Sequence, residues 1–335
     1  MILVTGGAGY IGSHTVLKLL ERGFDVAVAD NFINSKTKVI ERMKKLAKRD
    51  FSFYETDVRE KDQLDKIFSE NKIDLVIHFA GLKAPGESVD KPLEYYANNL
   101  DSTIALTCAM NEHGVFKLVF SSSAAVYDLR SDMPLDEASP TGNCANPYGR
   151  SKRMCEQILT DAVNANKLRS VALLRYFNPI GAHESGQIGE DPQDTPNNLM
   201  PYITQTAVGR RSRLYVYGND YDTPDGTGVR DYIHVEDLAA GHIAAIEYLE
   251  NNHGVSVFNL GAGKGVSVME LICAFEKASG VEIKTEFAAR RPGDSPICYA
   301  SVDKAKTLLG WEAKKTIAEA CADSWRWQKS NPNGY

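Results

Sequence analysis

Tyr148 and Lys152 stand four residues apart in Asn146-Pro147-Tyr148-Gly149-Arg150-Ser151-Lys152, which reads as a helix start with Asn146 as N-cap and Pro147 at the first helical position. That spacing puts both side chains on one helical face. A phenol ordinarily titrates near ~10, and a neighbouring ammonium favours the phenolate, which suits a general base. Taken alone, a Tyr–Lys pair is common on helix surfaces. Upstream, Ser121, Ser122 and Ser123 follow a predicted strand over 117–121. A hydroxyl at the carboxyl end of that strand can bond a reacting hydroxyl or a developing carbonyl, although the run also reads as loop filler. The sequence does not choose among the three serines.

A second chemical feature lies at the other end of the chain, in Thr5-Gly6-Gly7-Ala8-Gly9-Tyr10-Ile11-Gly12. Glycines 7, 9 and 12 satisfy G-x-G-x-x-G, and glycines 6, 9 and 12 satisfy G-x-x-G-x-x-G. The run follows a strand and opens a helix with Ile11, Val16, Leu19 and Leu20 on its apolar face. In that setting the missing side chains admit a pyrophosphate, and the helix N-terminus stabilises its charge. Asp30, 18 residues past Gly12, ends the second strand and suits an adenosine ribose. A carboxylate there repels a 2′-phosphate, and no Arg lies between positions 25 and 35, so the expected cofactor is NAD rather than NADP. Asp57-Val58 and Phe79-Ala80-Gly81 end two further strands, where ligands of open α/β sheets bind.

These groups need a scaffold that brings strand ends together. Short apolar runs at 2–4, 25–29, 51–55, 75–79, 117–121 and 171–176 alternate with longer amphipathic segments. That pattern predicts an α/β fold, a doubly wound parallel sheet of Rossmann type with helices on both faces. After Asn178-Pro179 the texture changes to Gly/Pro/Asn/Asp-rich stretches at 179–198 and 218–229, joining elements at 201–209 and 214–217. A helix at 235–251 and a strand at 255–260 resemble sheet-covering units again. The expected organisation is a nucleotide-binding lobe over 1–178, with about 230–262 returning to it, and a smaller mixed α/β substrate lobe over 179–335.

Composition bounds the setting. The 335 residues are 43% hydrophobic and 24% charged, which excludes disordered and fibrous classes. A net charge of −6 disfavours nucleic acid and anionic membrane as partners, so an anionic ligand needs a local basic pocket. The six cysteines include no C-x-x-C pair, which removes the usual zinc or redox reading and leaves free thiols. No run approaches the ~18 apolar residues of a membrane span, and the first strand begins at residue 2, so the expected location is cytoplasmic.

The glycine loop, the serines and Tyr148-x-x-x-Lys152, in that order, resemble the extended short-chain dehydrogenase/reductase family. The similarity narrows to its branch of nucleotide-sugar epimerases through I-H-F-A-G-L-K at 77–83, G-E-S-V at 86–89 and K-P-L-E-Y-Y at 91–96. It continues in L-L-R-Y-F-N-P at 173–179, G-E-D-P at 189–192, P-N-N-L-M-P-Y at 196–202, G-T-G-V-R-D-Y-I-H-V at 226–235 and F-N-L-G-A-G at 258–263. The resemblance implies reversible C4 epimerisation of UDP-glucose and UDP-galactose through a 4-keto sugar, with NAD regenerated and retained. Tyr148 would be the base, Lys152 would bind the nicotinamide ribose and lower the Tyr148 pKa, and Ser123 would assist.

The same resemblance implies cofactor contacts from Gly6, Gly9, Tyr10, Ile11, Gly12, Asp30, Asn31, Asn34, Ser35, Asp57, Val58, Phe79, Ala80, Lys83, Asn98 and Phe177. It implies nucleotide-sugar contacts from Asn178, Asn198, Leu199, Tyr215, Val216 and Tyr217, diphosphate ligands in Arg230 and Arg291, and a ribose contact in Asp294. Lys83, Ser123 and Tyr148 would also meet the sugar. For Arg230 the plainer reading is an ion pair with Asp231, and His234 reads as a buried structural residue. Cys298 stands where the family carries either tyrosine or a small residue, and the small residue leaves room for a 2-acetamido group, which extends the expected substrates to UDP-GlcNAc and UDP-GalNAc. Ala125 and Asp128 replace the family's usual Thr and Gly.

A nucleotide-sugar 4,6-dehydratase would need an acid/base pair after Ser123, where Ala124 and Ala125 offer no proton. The epimerase-like runs do not support a UDP-glucuronate decarboxylase. A non-catalytic dinucleotide sensor would have no use for both Tyr148 and Lys152. Segments 93–113 and 147–166 are expected to pair across a two-fold axis in a homodimer, as the family implies.

Overall fold

The computed structural model describes residues 1–128, 131–193, 195–291 and 293–335. Six strands precede Phe177: β1 (Ile2–Thr5), β2 (Val26–Asp30), β3 (Ser52–Glu55), β4 (Leu75–His78), β5 (Lys117–Ser123) and β6 (Ser170–Tyr176). The later strands are β7 (Asn178–Ile180), β8 (Leu214–Tyr217), β9 (Val229–His234), β10 (Gly254–Leu260), β11 (Gly265–Ser267), β12 (Thr285–Ala288) and β13 (Ile297–Cys298). The helices are α1 (Tyr10–Glu21), α2 (Thr37–Ala47), α3 (Lys61–Glu70), α4 (Pro85–Asp90), α5 (Pro92–Glu112), α6 (Pro147–Asn164), α7 (Leu199–Ala207), α8 (Val235–Asn251), α9 (Val268–Ser279) and α10 (Ile317–Ser330).

The main sheet has seven parallel strands in the order β10-β6-β5-β4-β1-β2-β3. Its central strands are buried along their whole length, which explains why they read as continuous apolar runs. The order reverses between β1 and β4, and an open α/β sheet binds its ligands at the carboxyl ends of such a pair. Here those ends meet closely. A Cβ on Gly6, whose φ is +69°, would lie 2.6 Å from the Ala80 amide nitrogen, and one on Gly12 would lie 2.3 Å from the Gly6 carbonyl oxygen. Only glycine fits at either position.

The second lobe is built on β9, which pairs parallel with β7 and β13 and antiparallel with β11. A separate two-stranded ribbon joins β8 and β12. Ile180, Met200, Ile203, Leu271, Ile272 and Phe275 lie in its core. β9 therefore belongs to the second sheet, while α8 and β10, which follow it, lie with the main sheet and its core. Because α8 and β10 come back to the main sheet, the lobes are interleaved rather than consecutive.

The helix that carries Tyr148 and Lys152 is fixed to the sheet by a buried ion pair. Arg175 on β6 donates to Glu156 on α6 through Nε at 3.0 Å and Nη2 at 2.9 Å, and Ser122 on β5 adds a hydroxyl at 2.6 Å. Both charged side chains are almost wholly buried. Removing one partner of such a pair strands the other charge out of water, whereas replacing both with apolar groups does not. Glu156→Ala is therefore expected to lower unfolding stability in urea by ~3–5 kcal/mol, with Glu156→Leu/Arg175→Met losing clearly less. Equal losses for the two would show that the pair does not act as a unit.

Candidate active site

α6 begins as expected. Asn146 caps it by accepting the Gly149 amide at 2.9 Å, and Pro147 occupies the first turn. Its inner face carries Tyr148 and Lys152. The Lys152 ammonium is buried, donates to the Ser121 carbonyl at 2.7 Å and lies 4.8 Å above the centre of the Phe120 ring. Burial disfavours its charged form and lowers its pKa to about 8.

β5 runs two residues beyond its predicted end, and strand alternation then separates the three serines. Ser122 points to Glu156, whereas Ser123 faces the Tyr148 phenol and also accepts the Ala125 amide at 3.1 Å. Of the three, Ser123 is therefore the hydroxyl beside the phenol. The resemblance implies that Lys152 lowers the Tyr148 pKa, whereas the shift here runs upward and its causes are burial and Ser123. Tyr148 borders an open cavity, but its phenol lies deep enough that burial pushes it above the ordinary value of 10.0, with the Ser123 hydroxyl pulling the other way.

Every residue expected to hold the cofactor borders one cavity of about 1350 Å³, and so do Tyr148, Lys152 and Ser123. Gly9 caps α1 without a side-chain bond, which leaves the first-turn amides facing that space. Asp30 ends β2. It accepts the amides of Ala8 and Phe32, each at 2.9 Å, and the Ser35 hydroxyl at 2.7 Å, and burial raises its pKa. One carboxylate therefore shapes both the glycine turn and the loop after β2. Asp57 is held as a carboxylate, with a pKa of about 2, chiefly by the Arg59 guanidinium, and it also accepts from Asn31.

Asn178, Asn198, Tyr217, Arg230, Arg291, Asp294 and Cys298 line the same cavity from the second lobe. The Arg230–Asp231 ion pair does not form, because successive strand residues face opposite ways. Asp231 instead accepts the amides of Ala262, Gly263 and Ala300, while Arg230 faces Asp294 at 3.9 Å. Arg291 bonds Asp294 at 2.8 Å and lies 5.3 Å from the centre of the Tyr217 ring. Two guanidinium groups around one carboxylate leave the basic pocket that the overall charge requires. Cys298 sits beside Arg230 in the β9–β13 register, and burial pushes its thiol upward.

Three expected residues do not reach the cavity. Val216 packs into the second-lobe core, Tyr215 is exposed at the outside of β8, and Leu199 packs at the start of α7. His234 is a buried structural residue, as expected, bonded to Asp323 at 3.2 Å and to the Glu236 amide at 3.0 Å. Sequence reasoning missed Asn99, which holds both backbone groups of Leu82 and the Ser151 hydroxyl. It also missed Glu190, on the cavity wall between Asn198 at 2.7 Å and Lys83 at 3.6 Å. The run 189–192 was a visible signal without a visible role. Among the described residues no cluster of His, Cys, Asp and Glu could hold a metal ion, and no helix is long and apolar enough to cross a membrane.

Comparison with known proteins agrees with this geometry. The chain is 57% identical over 334 residues to the UDP-glucose 4-epimerase of Bacillus subtilis (strain 168), covering 100% of this chain and 98% of the relative. It superposes with a TM-score of 0.97, at 52% identity, on the UDP-glucose 4-epimerase of Bifidobacterium longum in complex with NAD+ and UDP, covering 100% of this chain and 99% of that one. The UDP-Glc/GlcNAc 4-epimerase of Campylobacter jejuni matches with a TM-score of 0.85 and 39% identity, over 98% of this chain and 99% of that one. The model of the NAD dependent epimerase/dehydratase family matches residues 2–261, and the chain belongs to that family.

Proposed function

We propose that the protein is an NAD-dependent UDP-glucose 4-epimerase that interconverts UDP-glucose and UDP-galactose through a 4-keto sugar. The observation that carries this reading is a single cavity joining the glycine turn, the Tyr148–Ser123 pair and the two arginines around Asp294. Its volume exceeds the ~300–1,000 Å³ of a usual small-molecule pocket and suits two ligands together. The first lobe would hold the cofactor and the second lobe the UDP end of the sugar.

NAD, when bound, supplies the hydride acceptor and donor for sugar C4 and a positive ring that favours a nearby phenolate. The remaining work falls to this chain. Tyr148 takes the proton of the sugar 4-hydroxyl and later returns it, with Ser123 bonded to the phenol to steady the charge that develops. Lys152, anchored on the Ser121 carbonyl, presents its remaining protons to the ribose side of the cavity. Epimerisation needs hydride to leave one face of C4 and return to the other, so the keto sugar must turn while its nucleotide stays held. Arg230 and Arg291 supply that fixed end, since guanidinium groups bind phosphate in a bidentate manner. UDP-galactose added to the purified protein without cofactor is expected to give UDP-glucose, and Tyr148→Phe should lower the rate ~10²–10⁴-fold. No conversion even with added NAD would overturn the reading, and a Tyr148→Phe rate equal to that of the parent would overturn the assigned base.

The modest size of Cys298 on the cavity wall supports N-acetylated UDP-hexosamines as further substrates. Cys298→Tyr is expected to suppress interconversion of UDP-GlcNAc and UDP-GalNAc while sparing UDP-glucose. Coupled assays on all four sugars check this, and equal N-acetyl rates in both proteins would exclude the role.

A homodimer is supported by exposed Leu93 and Ile104 on α5 and exposed Met154 on α6. Exposed apolar side chains on these helices suit an association surface. Light scattering is expected to give twice the chain mass, with Leu93→Glu/Ile104→Glu shifting it to one. A monomeric parent would refute the assignment. The six free thiols fit a reducing cytoplasm.

A further inference from the structure

The run Gly189-Glu190-Asp191-Pro192 has no part in the chemistry above, yet it lies across the loop after β2 that shapes the adenosine end of the cavity. Asp191, whose side chain is buried, pairs with Lys36 of that loop at 2.6 Å. Two residues on, the Gln193 side-chain Nε2 donates to the Ser35 carbonyl at 2.5 Å and to the Phe32 carbonyl at 3.2 Å. Every one of these bonds joins the second-lobe segment to the rim formed by residues 32–36.

Behind the segment a second layer holds it down. The Tyr335 hydroxyl accepts the Gly189 amide at 2.9 Å and donates to the Gly189 carbonyl at 3.0 Å, and the Tyr335 amide donates to Asp191 at 3.0 Å. Arg42 of α2 lies 4.9 Å from the centre of the Tyr335 ring and donates to the Gln187 carbonyl at 2.8 Å. Gly189 itself packs so closely on Trp327 that a Cβ would lie 2.4 Å from the indole. The segment is therefore seated, not draped.

We infer that residues 187–193, secured by Tyr335 and Arg42, form a latch that sets how slowly NAD leaves the cavity. The inference rests on the cofactor assignment made above. An adenosine lodged against Asp30 and Ser35 cannot pass the rim until the Lys36–Asp191 and Gln193–Ser35 ties open. The reaction gives such a latch a purpose. Hydride taken from the sugar must be returned within the same cavity, so a reduced cofactor that escaped between the two transfers would strand a keto sugar.

The test is cofactor exchange, read without turnover. Protein is purified with its resident NAD, its cofactor content is measured, and release into an excess of isotopically labelled NAD is followed. Asp191→Asn keeps the side-chain volume and removes the charge facing Lys36, and Tyr335→Phe removes only the hydroxyl at Gly189. Release from Asp191→Asn is expected to be about tenfold faster, a factor equivalent to ~1.4 kcal/mol, and Tyr335→Phe should also accelerate it. Thermal melting and UDP binding confirm that both variants are folded. Parent-like release from both would overturn the latch. A parent protein that neither carries nor takes up NAD would overturn the cofactor reading instead.

Discussion

Taking an ammonium and a phenol out of water on one helix is the constraint around which this molecule is organised. Burial lowers the Lys152 pKa to about 8 and raises that of Tyr148, so the charged form of each, ammonium and phenolate, is disfavoured. Such placement needs a helix that cannot retreat. α6 is fixed by the Glu156–Arg175 pair to the sheet, by the Ser151–Asn99 bond to α5, and by the Asn146 cap at its start. Asn99 also grips Leu82, so the helix that carries the base and the loop that follows β4 share one anchor.

The second organising problem is charge. A protein of net charge −6 must gather a local positive field, and it does so with two arginines that come from distant parts of the chain. Arg230 is on β9 and Arg291 follows β12, and Asp294 bonds Arg291 and faces Arg230. The carboxylate lowers the net charge of the cluster but holds the guanidinium groups in place before any phosphate arrives. The same strand pairing sets Cys298 beside Arg230, so the thiol and one of the two guanidinium groups on the cavity wall share one register.

Most of the first lobe was legible because its strands are covered on both faces and therefore spell out their burial directly. β5 was read two residues short since serines do not look like strand, and those two residues decide which hydroxyl reaches the phenol. In the second lobe, β11 and β13 are too short to read, β9 interrupts its apolar residues with Arg230, Asp231 and His234, and the pairing of all three is set by residues far away in sequence. The starts of α9 and α10 do carry a readable sign, the capping boxes Ser267-x-x-Glu270 and Thr316-x-x-Glu319. The Tyr148–Lys152 spacing was visible from the start. The direction of the phenol's shift was not, since it depends on how much protein surrounds the oxygen rather than on the residue four places along. Likewise Arg230 and Asp231 are adjacent in sequence and apart in space, as a strand requires.

Interleaving of the lobes follows from what the cavity must do. A keto sugar that turns needs room, and room in a cleft between two lobes invites them to separate. The chain opposes this by crossing back. Tyr10, at the start of α1, donates to the Gly181 carbonyl at 2.7 Å, and Trp311 donates to the Asp237 carbonyl at 3.0 Å. His234, at the junction of β9 and α8, bonds Asp323 on α10, whose carboxylate also pairs with Arg326 and Lys315. Desolvation opposes the charge on Asp323, but these partners outweigh it and hold its pKa at about 2, so its carboxylate stays charged through the neutral range. Freedom is thereby confined to the contents of the cavity, while its walls, drawn from both lobes, are tied to each other rather than to the ligand.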